Sequence, residues 1–351
     1  MGVGMQQAVV KGLHHVTLVT SSAVINSRFY TEILGLRRVK LSVNQDDIFH
    51  RHLFYGDESG RTGTVVSFFE WPHLPGGVTG LGSPHHLAYG VKSLEALHRW
   101  FYWLRRSGLW VSGPHIIGER VSLYFRDPDG SLIELAHRAA EDLASGYVEE
   151  VFREEIEAPA LSQDIGLGLM DHASPVATDL DVAARFAAKT LGVNMLGKVH
   201  SRHDPAAVLL LLGSEGKDYL RYIVKPSARI GYVGTGSIHH IAFAVGDEHE
   251  QLKVKRRLDS LGILNSGIID RFWFKSLYFR DPFGNLFEVA TDGPGYTVDE
   301  PAEKLGARLT LPPWLEPERG RIEETLRLRD EQNPTRWPPT YPPAPQLPES
   351  L

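Results

Sequence analysis

The sequence predicts an α+β protein made of four βαβββ modules in two related halves, and two internal alignments support this fold class. Residues 83–136 align without a gap on residues 237–290 at an offset of 154, and 20 of the 54 positions are identical. Upstream, residues 15–36 align on residues 172–193 at an offset of 157. Such self-similarity is typical of duplicated units that bury their faces against each other. We therefore expect the modules to form curved mixed sheets.

The elements of one module follow in order from its local sequence. The first strands are predicted by apolar and β-branched runs, namely HHVTLVT, HHLAYGV, DHASPVAT and HHIAFAV. Polar amphipathic stretches at 93–107 and 247–260 predict helices, each with a glycine suited to its C-terminal end. Three short strands follow, and Asp-Pro-x-Gly sequences at 127–130 and 281–284 predict tight hairpin turns between them.

These patterns also predict the domain boundaries. The predicted units are an N-terminal half (1–138, with modules at 12–72 and 83–138), a connector (139–165), a C-terminal half (166–292, with modules at 166–227 and 236–292) and a C-terminal extension (293–351). The connector predicts an acidic helix within 141–157. The extension predicts a charged helix and then an extended, proline-rich tail at 332–351.

Composition restricts the chemistry. Of the 351 residues, 42% are apolar and 23% charged, which is typical of a folded protein with a large core. There is no cysteine, which excludes disulfides, thiolate metal sites and a cysteine nucleophile. A net charge of −6 argues against a nucleic acid partner. Because there are 16 histidines, imidazole and carboxylate are the expected ligands of any metal.

The sequence predicts a cytoplasmic protein with no membrane partner. Its apolar runs are much shorter than the roughly 18 to 20 residues of a membrane helix. The N-terminal residues lack the basic and apolar regions of a secretion signal. The exposed module edges and the proline-rich tail predict a homo-oligomer.

Histidines and glutamates recur at matching positions of the modules. His-His pairs lie on the first strands of three modules, and the spacing from His86 to Glu134 is repeated from His240 to Glu288. Because adjacent residues on a strand face opposite sides, one histidine of each pair can face a shared interior. Two imidazoles and a carboxylate form a facial triad with open metal positions, which suits non-haem Fe(II) and oxygen.

The module plan and several motifs resemble the vicinal oxygen chelate superfamily. LHHVTLVT, IHHIAFAV, LYFRDPFGNLFEVATDGPGYTVDE and LPPWLE more closely resemble the extradiol-type, ring-cleaving dioxygenases that open hydroquinones and chlorohydroquinones. The resemblance extends over residues 12–320. It implies the glyoxalase/bleomycin-resistance/dioxygenase-like fold, with the mixed sheets curved around a metal site.

The resemblance also implies the site residues. Fe(II) would bind His15, His240 and Glu288, and Mn(II) is an alternative because the ligand types suit both ions. No organic cofactor is implied, and O2 would be the cosubstrate. The residues implied around the metal are His14, Thr17, His239, Arg271 and Tyr278. Arg271 would supply a fixed positive charge, and His239 or Tyr278 would move protons during ring attack.

The internal repeat yields a second set of ligand residues. His172, His86 and Glu134 correspond to the three ligands implied above, so the chain contains two complete sets. The surrounding residues are duplicated only in part: Asp171 stands for His14, Ser174 for Thr17 and Ile117 for Arg271. Our hypothesis is that the second set also binds a metal, in a structural role. The sequence leaves open whether module 1 pairs with module 4 or with module 2, and hence how the six ligands are grouped.

The favoured function is an Fe(II)-dependent dioxygenase that inserts O2 into a hydroquinone or catechol-type ring during aromatic degradation. The candidate pocket walls are Trp71, Phe272, Trp273 and Phe274. One alternative is a glyoxalase-like lyase or isomerase, which needs a second carboxylate. Glu70 is the nearest candidate for it, although we expect Glu70 to lie on the surface. Another alternative is a non-catalytic resistance protein that binds an aromatic compound.

Overall fold

The computed structural model describes residues 10–138, 145–153, 155–156, 166–200, 206–332 and 337–343. In chain order the strands are β1 (Leu13–Thr20), β2 (Arg37–Asn44), β3 (Asp47–Gly56), β4 (Val65–Glu70), β5 (His86–Gly90), β6 (Ser112–Ile117), β7 (Arg120–Arg126), β8 (Leu132–Arg138), β9 (Met170–Ser174), β10 (Val176–Ala177), β11 (Asn194–His200), β12 (Val208–Ser214), β13 (Lys217–Val224), β14 (Ile238–Val245), β15 (Asn265–Asp270), β16 (Lys275–Arg280) and β17 (Leu286–Thr291). The α-helices are α1 (Ala23–Arg28, continued by a π-helical turn), α2 (Leu94–Arg106), α3 (Ser145–Arg153), α4 (Leu180–Leu191), α5 (Glu248–Ser260) and α6 (Arg319–Gln332).

Two mixed sheets form the framework, and each joins one module from each half of the chain. The first has the order β15-β16-β17-β14-β1-β4-β3-β2, so module 4 continues into module 1. The second has the order β11-β12-β13-β9-β5-β8-β7-β6, with β10 beside β13, so module 3 continues into module 2. The predicted fold class is confirmed, and the question of module pairing is answered.

The two sheets repeat one pattern of strand directions. At the centre of the first, β1 is antiparallel to β14, and each has a parallel neighbour, β4 or β17. At the centre of the second, β5 is antiparallel to β9, with β8 and β13 as the parallel neighbours. All eight residues of β1 are buried, because one face packs on the core and the other faces the interior of the curved sheet.

Local sequence explains where the helices begin. Ser93 and Asp247 cap α2 and α5, because their side-chain oxygens accept hydrogen bonds from the amides of Ala96 and Glu250. Both helices match the predicted stretches to within one residue. Of the predicted connector helix, the described residues show α3, and the rest of the connector lies largely outside them.

The hairpin turns predicted from the Asp-Pro-x-Gly sequences join the two sheets. The carboxylate of Asp127 accepts a hydrogen bond from the hydroxyl of Tyr30 at 3.1 Å, so the β7–β8 turn is bound to module 1. Reciprocally, the Tyr222 hydroxyl donates to Asp281 at 2.7 Å and binds the β16–β17 turn to module 3. The main hydrophobic core contains residues of both sheets and of the helices.

The C-terminal extension packs mainly on module 1. Lys40 is fully buried, and its ammonium group donates to Asp299 at 2.7 Å and to Glu300 at 2.6 Å. The predicted charged helix is α6, and its Asp330 accepts hydrogen bonds from Arg51. Of the predicted tail, the described residues 337–343 lie against the π-helical region of module 1. None of the described helices has the length and apolar character needed to cross a bilayer.

Candidate active site

Three central strands of the first sheet bring His15, His240 and Glu288 together. Glu288 Oε2 lies 2.9 Å from His240 Nε2 and 3.3 Å from His15 Nε2, and the two Nε2 atoms are 3.3 Å apart. All three side chains are buried. Burial alone would raise the pKa of Glu288, but the two histidines outweigh it and hold this pKa well below its usual range.

Neighbouring side chains fix the hydrogen position on His15. His14 Nε2 lies 3.1 Å from the carbonyl oxygen of Thr291, which can only accept, so His14 carries hydrogen there. Burial and the neighbouring His15 lower the pKa of His14 to about 3, so His14 is neutral and its Nδ1 is an acceptor. His15 Nδ1, 2.8 Å away, therefore donates to it, which leaves His15 Nε2 free to bind a metal.

The other two ligands are oriented in similar ways. His239 Nδ1 lies 2.8 Å from His240 Nδ1, and the Ser276 hydroxyl donates to Glu288 Oε1 at 2.6 Å. Thr17 is fully buried, and its hydroxyl lies 2.9 Å from His240 Nε2. The bonds from His239 and Ser276 hold both ligands in place before any ion arrives, whereas Thr17 contacts the Nε2 atom that a metal would take.

The three ligand residues suit a divalent cation. Their donor atoms all lie within 4.8 Å of one another. Glu288 Oε2 is buried and accepts no well-aligned hydrogen bond, although both histidines are near it. A buried carboxylate oxygen without such a partner is costly unless a cation binds it. The residues therefore fit a metal held by two imidazoles and one carboxylate, with open positions toward the interior.

A cavity of about 370 Å³ opens directly beside these ligands. Its ring-bearing walls are His15, His52, Phe54, Phe69, Trp71, His239, His240, Trp273, Phe274 and Tyr278, and Arg271 and the 44–47 loop complete it. Of the predicted aromatic walls, Trp71, Trp273 and Phe274 line it, whereas Phe272 packs against Trp273 and Trp314. A planar, mainly apolar molecule fits such a space.

Arg271 and Tyr278 are adjacent in the cavity wall. The guanidinium carbon of Arg271 lies 5.6 Å from the centre of the Tyr278 ring. Asp46 binds this guanidinium through two bonds of 3.0 and 2.7 Å, and the Asp46 side chain is 70% exposed. Arg271 is thus both a member of an ion pair and a fixed positive charge at the cavity.

His14 and Thr17, in contrast, are buried outside the cavity lining. His14 bonds to Nδ1 of His15, on the side of the ring away from the metal position, whereas Thr17 contacts the metal-facing Nε2 of His240. His239 combines the two positions: it bonds to the ligand His240, and it also lines the cavity. All five residues predicted around the metal are therefore gathered at this one place.

Sequence reasoning missed His52. It lines the cavity from β3, with its ring centre 3.9 Å from that of Phe54 and 4.3 Å from that of Phe69. A chain of close polar contacts runs from it to a ligand: His52 Nε2 to Ser67 Oγ (3.0 Å), Ser67 Oγ to Thr17 Oγ1 (2.8 Å), and Thr17 Oγ1 to His240 Nε2. When the strands are aligned by register, the equivalent position of module 3 holds Leu209. This difference between the two modules is the signal that could have pointed to His52.

The expectation of a surface position for Glu70 is wrong. Glu70 is 5% exposed, because the start of α1 and the side chain of Arg51 cover it. One carboxylate oxygen accepts from the Ala23 amide at 2.8 Å, and the other accepts from Arg51 at 2.9 Å. Both oxygens are thus engaged in structural bonds, which argues against a role as a further ligand or base.

The second set is also brought together, in the centre of the second sheet. Glu134 Oε2 lies 2.9 Å from His86 Nε2 and 3.3 Å from His172 Nε2, and all three residues are buried. Burial lowers the pKa of His172, but Glu134 and Asp171 outweigh it and raise this pKa to about 9. The grouping is therefore by modules 1 with 4 and 2 with 3, as the resemblance implied.

Comparisons with known proteins agree with this architecture. The family model of the Glyoxalase/Bleomycin resistance protein/Dioxygenase superfamily matches residues 12–135 and 169–289. The chain belongs to this superfamily. The recognition made from the sequence motifs is thereby confirmed.

Three relatives bear on the kind of enzyme. MhqA of Bacillus subtilis strain 168, named as a candidate ring-cleaving dioxygenase, is 37% identical over 91% of this chain and 98% of its own length. Chlorohydroquinone/hydroquinone 1,2-dioxygenase of Sphingobium indicum is 28% identical over 92% of this chain and 97% of its own length. A solved structure of a candidate dioxygenase from Bacillus subtilis has 30% identity and a TM-score of 0.77, over 91% of this chain and 97% of that chain. They confirm the prediction that this superfamily member is an enzyme of the ring-cleaving dioxygenase type.

Proposed function

We propose that this enzyme uses Fe(II), bound by His15, His240 and Glu288, to insert O2 into the ring of a hydroquinone or catechol-type diol. The observation that carries the proposal is the position of the aromatic cavity, which opens directly on the three buried ligands. The names of the relatives support the same substrate class.

An ion bound here would supply the chemistry that couples a ring oxygen to O2. The protein offers three ligands, so coordination positions would remain for substrate and O2. Its ligand histidines must present bare Nε2 atoms, which the Thr291–His14–His15 bonds enforce for His15.

The cavity walls would bind and orient the ring. Phe54, Phe69, Trp273 and Phe274 offer apolar faces, against which an aromatic substrate is stabilised by burial and stacking. These walls would fix the position of the substrate ring relative to the ligands, so that its hydroxyl reaches the metal position in one orientation.

Charged and proton-carrying groups lie on the same walls. The fixed charge of Arg271 stabilises the phenolate form of the substrate and the negative charge that develops on oxygen. If His240 Nε2 faces the metal, its Nδ1 carries hydrogen and donates to His239, so neutral His239 carries its hydrogen on Nε2. His239 and Tyr278 are thus positioned to hold or move a proton at the substrate oxygens.

The alternative of a lyase or isomerase has less support. That chemistry needs a second carboxylate at the metal, and both oxygens of Glu70 are engaged elsewhere. A purely binding protein would have no use for three preoriented ligands beside its cavity.

The first experiment is O2 uptake by protein reconstituted anaerobically with Fe(II), against a panel of hydroquinones and catechols, with ring-opened product measured in parallel. We expect uptake matched by product for at least one diol. His240→Ala should abolish turnover, whereas His249→Ala, an exposed histidine of α5, should retain it. Absence of uptake across the panel by protein that contains the metal would contradict the proposal. Reconstitution with Mn(II) instead identifies the preferred ion.

A further inference from the structure

We propose that His86, Glu134 and His172 form a second divalent cation site, which has no space for an organic substrate and instead stabilises the second sheet. The inference does not depend on the proposed function, because it concerns residues of modules 2 and 3 alone. Four observations support it: the ligand geometry, the orienting bonds, the local charge and the packing around the site.

The ligand geometry repeats that of the first set. In both sets a carboxylate oxygen lies 2.9 Å from one Nε2 atom and 3.3 Å from the other. The donor atoms of each set converge within 4.8 Å, and all six residues are buried. Three metal-binding groups converging in a buried place is the arrangement of a ligand set rather than of a solvated charge cluster.

Each ligand of the second set also has an orienting partner. The Ser122 hydroxyl donates to Glu134 at 2.6 Å, as Ser276 does to Glu288. His85 Nδ1 lies 2.7 Å from His86 Nδ1, as His239 does from His240.

The third ligand has the strongest orienting bond. Asp171 Oδ1 lies 2.8 Å from His172 Nδ1, and a carboxylate can only accept. His172 Nδ1 therefore carries the hydrogen, and its Nε2 faces Glu134 and the metal position. A carboxylate behind a ligand histidine makes the imidazole a stronger metal ligand. Asp171 thus performs the task of His14 with a more effective group.

The charges around the second set leave room for a cation. Asp171 and Asp218 pair with the buried Arg120, and Asp218 also pairs with Arg138 and Arg221. With Glu119 beside Arg138, and Glu134 itself, these four carboxylates outnumber the three guanidinium groups. At the first set, Glu288, Asp46 and Asp47 likewise outnumber Arg271. An excess of carboxylates over guanidinium groups favours a cation at both places.

A hydrophobic cluster occupies the space where the first set has its cavity. By strand register and by the repeat offset, the cavity-lining residues His52, Phe54, Phe69, Arg271, Tyr278 and Leu286 correspond to Leu209, Leu211, Ile223, Ile117, Tyr124 and Leu132. The latter six pack together as one cluster. An ion bound here would have no space for an aromatic ring beside it.

The position of the second set indicates what such an ion would do. His86 and Glu134 come from β5 and β8, whereas His172 comes from β9 across the junction of modules 2 and 3. An ion bound to all three would link the modules beside the β5–β9 pairing and the ion pairs of Arg120 and Arg138. Because the unfolded chain does not assemble the ligands, binding stabilises the folded state.

The test is the Mn(II) content of metal-stripped, full-length protein after equilibrium dialysis, with bound Mn(II) confirmed by EPR. We expect two equivalents for the unaltered protein, one for Glu288→Gln, one for Glu134→Gln and none for the double variant. The control Glu149→Gln changes an exposed residue of α3 and should retain two. Mn(II) should also raise the melting temperature of Glu288→Gln by several degrees, but not that of the double variant.

The result for Glu288→Gln decides between the alternatives. If it binds no Mn(II), or if the unaltered protein binds only one equivalent that this substitution removes, the second set is a metal-free ion pair and the proposal is overturned. The stoichiometry of the unaltered protein requires no variant to fold. Substrate and turnover do not enter these measurements, so the outcome is independent of whether the protein cleaves hydroquinones.

Discussion

The first and second His/His/Glu sets have almost the same ligand geometry, but the first faces a cavity and the second faces a hydrophobic cluster. In one, the ligands meet the rings of Phe54 and Phe69 and the charge of Arg271. In the other, aliphatic side chains close over the ligands, and Arg120 occupies the position of Phe274. The ligands therefore determine where an ion binds, and the residues around them determine whether a reaction can follow.

Duplication explains how this difference arose in one chain. When one chain contains the arrangement twice, one copy is enough to bind substrate, but both copies must still form a stable sheet. In the second copy the buried Leu209 stands where the first has the half-buried His52, and burial of apolar surface stabilises at about 25 cal/mol per Å². The bonds that orient the second set of ligands are compatible with this packing, because they lie among the ligands themselves.

The largest effect is expected when Arg271, the charged residue at the first cavity, is replaced by isoleucine, the residue at the corresponding position beside the second set. Arg271→Ile should lower kcat/KM by about 100- to 1,000-fold, since removing one group that stabilises developing negative charge costs roughly 2.7–4 kcal/mol. The iron content should stay unchanged, because Arg271 binds no ligand residue directly. The measurement is O2 uptake kinetics with metal analysis of the same samples.

Arg271→Lys is the matched variant for this prediction. It keeps the charge but cannot bind Asp46 through two parallel bonds, so its kcat/KM should lie between those of the unaltered enzyme and Arg271→Ile. A loss below threefold in Arg271→Ile would show that Arg271 serves only as an ion pair, which for a partner as exposed as Asp46 contributes little to stability.

A smaller effect is expected at the residue that sequence reasoning missed. His52→Leu introduces the residue of the second set and should lower kcat/KM about tenfold, because it removes a ring from the wall and ends the chain of contacts to Thr17. Ser67→Ala interrupts that chain but leaves the ring, so it should lower kcat/KM less. If Ser67→Ala instead matches His52→Leu, the contact chain rather than the ring is what matters.

The repeat indicated the six ligands, because its offset is constant within each aligned segment, whereas the residues around them were implied by the family resemblance, since Arg271 has no repeated counterpart. His52 lies beyond residue 36, where the gapless alignment of modules 1 and 3 ends. Its partner position emerges only from strand register, which runs at an offset of 157 in β3 and 154 in β4. Module pairing could not be predicted from the repeat either, because it depends on the contact between β1 and β14, which are more than 200 residues apart in the chain.

The exposure of Glu70 illustrates a further limit. Its place at the end of β4 suggested solvent, but the N-terminus of α1 needs an acceptor for the Ala23 amide, and Glu70 provides it. Which strand end a helix covers is a property of the assembled module. Local sequence has no information about that cover.

The two sheet-joining turns also differ, and the difference concerns pH. Asp127 of the first turn has Asp129 beside it, and burial together with that charge raises the pKa of Asp127 to about 7. At the second turn Phe283 occupies the position of Asp129, and Asn285 donates a hydrogen bond to Asp281. Burial also raises the pKa of Asp281, but without a neighbouring carboxylate.

The smallest expected effect is therefore on stability. An aspartate of the unfolded chain releases its proton near pH 4, and folded Asp127 near pH 7, so the folded state holds the extra proton between these values. The contribution of Asp127 to the free energy of unfolding is complete below about pH 4 and is lost as the pH rises through 7.

Asp127→Asn cannot titrate, and its amide oxygen can still accept from the Ser131 amide. Between pH 5 and 8, the unaltered protein should lose more stability than Asp127→Asn, by a difference of roughly 1–3 kcal/mol. Urea unfolding at each pH, on metal-stripped samples, measures this difference. Asp281→Asn is the comparison variant and should give a smaller difference, because within the described part of the chain no carboxylate raises the pKa of Asp281 as Asp129 raises that of Asp127. Parallel pH curves for the unaltered protein and Asp127→Asn would show that Asp127 is ionised in the folded state throughout, with its turn stabilised by hydrogen bonds alone.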